Sequence, residues 1–370
     1  MRFVSIVSGT STDGLSIATL DMNGFNLETV YKVLSGTTIK FSSKMHDDLL
    51  YVAEKSLVTA EYVSKLNWQL GRFVSDSVMA LDKEFDVISF SGHTVYHGPS
   101  LGHLAYATLQ LGEISVLVAD SGKTAVSDFR ITDMAYGGLG APLIALSDYI
   151  LFKTSGVLTV NIGGIANVTY LGEEGPIAFD VGPGNMLIDQ AMNVLYGLQF
   201  DRDGKVAHEG VVSREVLAYM MKDQFLKLQP PKNSGREYFG RNYLLRIMNK
   251  FPSVRSEDMI RTLTRFTAES IFDQVKRFIP HEPVKVVVGG GGTNNPVLMS
   301  DLTELFDERV FTFSDFGIND EFREALGFAI LANQTLHNAA GRITDVNTMS
   351  GPVLGKIVPG KNYPDLQSIL

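Results

Sequence analysis

The chain contains no cysteine in 370 residues, which excludes disulfides, thiolate nucleophiles and thiolate-held zinc. It has no apolar run near the roughly 18 residues needed to span a bilayer. A long basic run is also absent, and the net charge is −9. Nucleic acid demands a concentrated basic surface to neutralise phosphates, so it is not an expected partner. Lys222, Lys227 and Lys232 are scattered among acids and prolines and read as a solvated face. The first residues start directly with a strand pattern, without the basic region and cleavage site of a signal peptide, so cytoplasmic residence is expected. Against these absences stand 45% apolar residues, 35 glycines and a length that predicts two domains rather than one core.

The glycines gather in turns. Phe179-Asp180-Val181-Gly182-Pro183-Gly184-Asn185 places one carboxylate at the end of an apolar run, before a loop that opens onto a helix. Leu187, Ile188, Ala191, Met192 and Leu195 have helical spacing, and Gly197 is a C-terminal stop. A helix N-terminus exposes unpaired N–H groups that attract anions, which suits a phosphate or a developing negative charge. Asp180 beside it can take a proton from a hydroxyl.

The theme recurs. Phe3 to Val7, the turn Gly9-Thr10-Ser11-Thr12-Asp13-Gly14, and Leu15 to Leu20 form a strand, a polar glycine turn and a strand. Val157 to Ile162, the turn at Gly163-Gly164 flanked by Asn161 and Asn167, and Ile165 to Leu171 repeat it. Two such hairpins predict two related halves. Glycine lets the backbone approach a ligand without a Cβ. A pair of such turns across a cleft can hold a triphosphate and its metal. A third glycine element, Val284 to Val288 followed by Gly289-Gly290-Gly291-Gly292-Thr293-Asn294, leads to Asn295 as N-cap and Pro296 at the first helical position.

Between these motifs the organisation is mixed α/β. Two helices are expected within 47–79, strands at 85–90, 106–111 and 125–130, and helices at 114–121, 143–152 and 324–336. The break between halves is expected at 122–135, and Gln229 to Glu237 reads as a loop. His93 and His97 would form a zinc pair if helical. They follow a strand and no Glu follows His93, so a substrate loop and a purely structural role stand beside that reading. Asp13, Asp180 and Glu324 are a better set for Mg²⁺, which prefers oxygen ligands, although Asp13-Gly14 is also a common turn signal.

These motifs carry a family resemblance. Gly9–Gly14, Gly92 to His97, Asp128-Phe129-Arg130, Gly137 to Leu143, Asn161–Asn167, Phe179–Asn185, Asp201 to Gly204, Ser234 to Glu237 and Gly289–Asn294, in this order, resemble anhydro-N-acetylmuramic acid kinases. That family belongs to the superfamily of actin, hexokinase and the heat-shock chaperone ATPases. The resemblance implies an α/β fold of two duplicated actin-like, ribonuclease-H-like domains with mixed sheets, and ATP with Mg²⁺ in the cleft between them. It implies domains at 1–125, with about 338–370 packing back on it, and at 126–337. By motif, Asp180 corresponds to the catalytic base. Gly9, Thr10, Ser11, Thr12, Asp13 and Gly14 correspond to one phosphate turn, and Asn161, Gly163, Gly164 and Asn167 to the other. Gly290, Gly291, Gly292 and Asn294 fall where the nucleoside is held. Thr94, His97, Arg130, Gly184, Asn185 and Glu324 fall where the sugar is contacted, with Asp13 and Glu324 near the metal. A cytoplasmic homodimer is implied, with no membrane partner.

The chain departs from the family at His93 and Leu139, where Gln is usual, and at Leu15-Ser16, where Ile-Asp or Val-Asp is usual. The implied reaction opens a 1,6-anhydro ring with water and phosphorylates O6, giving N-acetylmuramic acid 6-phosphate and ADP in cell-wall sugar recycling. The alternatives are a kinase for a levoglucosan-like or ordinary sugar, or an actin- or chaperone-type ATPase.

Overall fold

The computed structural model describes the chain except residues 10–11, 55–56, 99–106, 142, 153–155, 174, 233 and 343–348, and describes only the backbone of Arg236 and Glu237. By compactness it divides into two units, residues 1–153 with 321–370 and residues 154–320.

Unit 1 is built on β1 (Arg2–Ser8), β2 (Gly14–Asn23), β3 (Val30–Lys40), β4 (Val87–Gly98), β5 (Ala107–Leu111) and β6 (Thr124–Ser127). β1, β2 and β3 form an antiparallel meander; β4 runs parallel to β1, and β6 parallel to β4. β1 is apolar on both faces because both are covered. The helix Ala60–Met79 lays Leu66, Leu70, Val74 and Val78, one per turn, into the core that receives Val4, Ile6 and Ile88. Thr59 starts this helix by accepting the Tyr62 N–H at 3.2 Å.

Unit 2 repeats the plan with β7 (Val157–Ile162), β8 (Ile165–Gly172), β9 (Gly175–Pro183), β10 (Lys285–Gly289) and β11 (Val310–Thr312). β7, β8 and β9 are an antiparallel meander, while β10 runs parallel to β7 and β11 parallel to β10. The first sheet runs β3-β2-β1-β4-β6, with β5 pairing beside β4, and the second runs β9-β8-β7-β10-β11, so each places its third, second, first and fourth strands side by side in that order. The duplication expected from two glycine hairpins is present in the topology itself. The helix Ser256–Phe278 packs Ala268, Ile271 and Val275 against this sheet and Ile260, Leu263 and Phe266 against the surrounding helices.

The structure draws its boundaries away from 125/126 and 337/338. Residues 126–152 and 321–337 pack on the first sheet. Ser147 Oγ donates to the Gly327 carbonyl at 2.8 Å, and Ser89 Oγ to that of Phe328 at 2.8 Å. Asp148 and Arg323, 1% and 6% exposed, form an ion pair at 2.6 Å. A last strand, β12 (Lys356–Val358), pairs antiparallel with β6. The chain leaves the first sheet only after the helix Ala145–Phe152, well beyond the expected break at 122–135. The strand expected over 125–130 also stops early. Asp128 adopts a left-handed conformation and Phe129–Ala135 is a helix, so Arg130 is helical. No helix among the described residues is long and apolar enough to cross a membrane.

Candidate active site

In unit 2 three glycine elements converge. The turn between β7 and β8 carries Gly163 and Gly164, and the loop after β9 carries Gly182 to Asn185. Gly184 N–H and Met186 N–H donate to the Gly164 carbonyl at 2.9 and 3.1 Å, and Asn185 N–H to the Gly163 carbonyl at 2.8 Å. The Asn185 amide also reaches the Ile162 carbonyl at 3.3 Å. The third element, Gly290 to Asn294, abuts the same strand end. Gly290 has φ +86°, and a Cβ there would lie 2.7 Å from Asn161 Oδ1. By contrast, a Cβ at Gly163 or Gly291 would meet no protein atom closer than 3.7 Å. The backbone at these two turns is therefore open to a ligand, as a phosphate-binding turn requires. Asn295 caps the next helix through the Val297 and Leu298 N–H groups, with Pro296 opening it.

Asp180 sits at the edge of this cluster. It pairs with Asn167 across β8 and β9, and a bulge leaves Val181 unpaired before Gly182 pairs with Ala166. Such a bulge re-aims the strand end. Asp180 N–H donates to the Lys232 carbonyl at 3.1 Å, and Asp180 Oδ2 accepts the Ser234 N–H at 2.8 Å. The carboxylate is thereby held in a fixed orientation, a condition for work as a base.

Gly184 is the tightest point. A Cβ there would fall 2.3 Å from the Gly163 carbonyl oxygen, a backbone atom that cannot rotate away. Gly184→Ala should push the two loops apart, lowering kcat by about 10- to 100-fold and stability by about 1–3 kcal/mol. Steady-state kinetics with a thermal melt check this, and unchanged kcat would show that the loop spacing is not critical.

Unit 1 holds a second group. Ser8, at the end of β1, contacts His93 Nδ1 at 2.8 Å, and burial pushes the His93 imidazole down to about 4, so it is neutral at pH 7. His93 thus holds the end of β1 from which the chain passes to Gly9. In that turn Thr12 N–H donates to the Gly9 carbonyl at 3.1 Å, and the Asp13 carbonyl accepts the Phe41 N–H at 3.0 Å. A Cβ at Gly14 would lie 2.2 Å from the Ile39 carbonyl oxygen. Asp13 is exposed, and Thr10 and Ser11 lie outside the described residues.

Further along β4, Thr94 accepts from Gln110 at 3.3 Å, and His97 Nδ1 contacts Thr108 at 3.2 Å. His97 Nε2 is buried with no hydrogen-bond partner among the described residues. Burial and the nearby Arg130 cation hold its imidazole down at about 4. Arg130 donates to the Gly140 carbonyl at 2.5 Å. Burial lowers its guanidinium pKa, which the Glu324 and Asp133 carboxylates oppose. His93 and His97 both lie on a strand and turn to different partners, so the helical zinc pair does not form; among the described residues no group of three or more His, Cys, Asp or Glu side chains could hold a metal.

The sequence carries no sign of the roles of Lys232 and Asp133, and it marks Ser234 and Gly140 only as parts of motifs, without their contacts. Lys232 is not on a solvated face: it is 6% exposed, inside the segment that holds Asp180. Part of that segment, Arg236–Phe239, is a short helix rather than loop. The adjacent Ser234-Gly235 motif was the available signal.

Residues 1–360 match the family model of anhydro-N-acetylmuramic acid kinase. The chain belongs to the anhydro-N-acetylmuramic acid kinase family. It is 36% identical to a family member from Bacillus cereus (strain G9842), covering 96% of this chain and 99% of that one. It is also 36% identical to one from Caldanaerobacter subterraneus subsp. tengcongensis, covering 96% of each. Among solved structures, a xylulose kinase from Lactobacillus acidophilus superposes with a TM-score of 0.45 at 10% identity, covering 100% of this chain and 96% of that one.

Proposed function

We propose that this kinase phosphorylates 1,6-anhydro-N-acetylmuramic acid at O6 with ATP while water opens the anhydro ring, and that Asp180 is its general base. The observation that carries the assignment is the clamped Asp180 carboxylate at the edge of three converging glycine loops. An anhydro-sugar has no free 6-hydroxyl, because O6 is tied to the anomeric carbon. Asp180 takes a proton from water as the water oxygen bonds to C1. The C1–O6 bond breaks, and its electron pair stays on O6. O6 then bonds to the γ-phosphorus as the bond to the β-phosphate oxygen breaks, releasing ADP. The protein's work is orientation and electrostatics.

In unit 2, the open backbone at Gly163 and Gly291, with Gly164 beside it, suits phosphate oxygens, and Gly290, Gly292 and Asn294 suit the nucleoside end, with Asn161, Asn167 and Asn185 bracing the turns. In unit 1, Gly9 to Gly14 suit phosphate, while Thr94, His97 and Arg130 suit the sugar. His97 Nε2, buried and without a partner among the described residues, supports a polar ligand there. Asp13 and Glu324 are both exposed carboxylates and fit Mg²⁺, which takes one or two carboxylates and completes its shell with phosphate and water. When bound, Mg²⁺ neutralises charge on the phosphates. The use of ATP assigns the reaction to the cytoplasm.

The test is ADP release over a panel of anhydro- and free sugars, with and without Mg²⁺. Release stimulated by 1,6-anhydro-N-acetylmuramic acid is expected. Stimulation by levoglucosan or an ordinary sugar alone would replace the substrate, and sugar-independent turnover would favour an ATPase. Arg130→Met should raise the KM for the muramic substrate by roughly 10- to 100-fold through a lost charged hydrogen bond of about 1.5–3 kcal/mol, with the KM for ATP unchanged. Equal KM values in wild type and variant would remove Arg130 from sugar recognition.

A further inference from the structure

Lys232 is a buried cation that the reaction as written does not use. A lysine so far from water is costly unless held by acceptors. Its ammonium donates to Gln274 Oε1 and, at 3.1 Å, to the Phe225 carbonyl. It lies 4.7 Å from the Phe225 ring centroid and 5.3 Å from that of Phe278. Gln274, itself fully buried on the helix Ser256–Phe278, donates to the Leu226 carbonyl at 3.0 Å. The ammonium thus ties residues 225–232 to the central helix of unit 2. The other end of the same residue meets the reaction centre, because the Lys232 carbonyl accepts the Asp180 N–H at 3.1 Å and Ser234 N–H donates to the Asp180 carboxylate. A methionine of similar length would fill the same space but could not donate to Gln274 or to the Phe225 carbonyl, so the ammonium serves to hold this segment rather than to fill volume.

We propose that Lys232 is a positioning residue for the chemical step, locking the segment that aims the Asp180 carboxylate and setting the charge beside it. The assignment rests on Asp180 being the base. Burial and the Arg277 cation press the Lys232 pKa down to about 8, with the Asp273 and Asp180 carboxylates opposing. The ammonium is therefore present below pH 8 and lost above it.

The test is Lys232→Met, Lys232→Arg, Asp180→Asn and the Lys232→Met/Asp180→Asn double variant, read by single-turnover kinetics and pH profiles. Lys232→Met should lower kcat by about tenfold to 10²-fold while leaving ATP-analogue binding near wild type, with a lower melting temperature from the two buried acceptors that lose their donor. Its acidic limb should move to higher pH, because a carboxylate that loses a neighbouring cation protonates more readily. The alkaline limb near pH 8 should vanish. Added to Asp180→Asn, it should cost no further rate. Wild-type kcat with an unchanged pH profile, or the same fractional loss in the Asp180→Asn background, would overturn the proposal. Should Lys232→Met not fold, Lys232→Arg decides: arginine does not titrate near pH 8, so an alkaline limb persisting there overturns it, and its disappearance supports it. Near-normal turnover of Asp180→Asn alone would instead refute the base assignment, independently of any Lys232 variant.

Discussion

In Asp180→Asn, kcat is expected to fall by about 10²–10⁴-fold, the usual loss for a missing general base, with ATP-analogue binding and thermal stability retained. Asparagine has the size of aspartate, and its amide oxygen can still accept the Ser234 N–H that the carboxylate accepts at 2.8 Å. The Asp180 N–H contact with the Lys232 carbonyl is main-chain and survives. What is lost is a group able to hold the proton of the attacking water. Coupled ADP release, an ATP-analogue titration and a melt on the same sample separate chemistry from binding and folding. Turnover within a few-fold of wild type would assign the base elsewhere.

Breaking the buried ion pair of unit 1 should give the largest loss of stability. Asp148 lies on the helix Ala145–Phe152 and Arg323 opens the helix Arg323–Leu336, with their charged atoms 2.6 Å apart. Asp148→Asn removes the carboxylate charge that faces the buried guanidinium at 2.6 Å, and removing one partner of a buried pair costs about 3–5 kcal/mol. For a unit of this size that lowers Tm by roughly 6–20 °C. The next residue after Arg323 is Glu324, so the pair also fixes the first turn of the helix that presents that carboxylate. Calorimetry of the two proteins tests this, and a Tm within 2 °C of wild type would show that the pair is not a net anchor.

Local features of the site were legible in the sequence because glycine and aspartate report on backbone geometry over a few residues. The Asp180 loop, the repeated hairpins, the third glycine turn and the Asn295-Pro296 helix start all depend on neighbours within one turn. The order of motifs was sufficient to place the chain in its family. Tertiary structure alone decided what depends on partners far away in sequence. The unit boundary moved because Asp148 and Arg323, 175 residues apart, pair on one side of it. Lys232 reads as a surface residue by type and becomes a core residue only because Gln274 and two aromatic rings, 7 to 46 positions away, surround its ammonium. His93 and His97 have a spacing that fits one helical face, yet strand geometry sends one to Ser8 and the other to Thr108. Composition and periodicity record what a segment prefers by itself. The protonation state and partner of a buried charge are set by the desolvation and contacts that the assembled fold imposes.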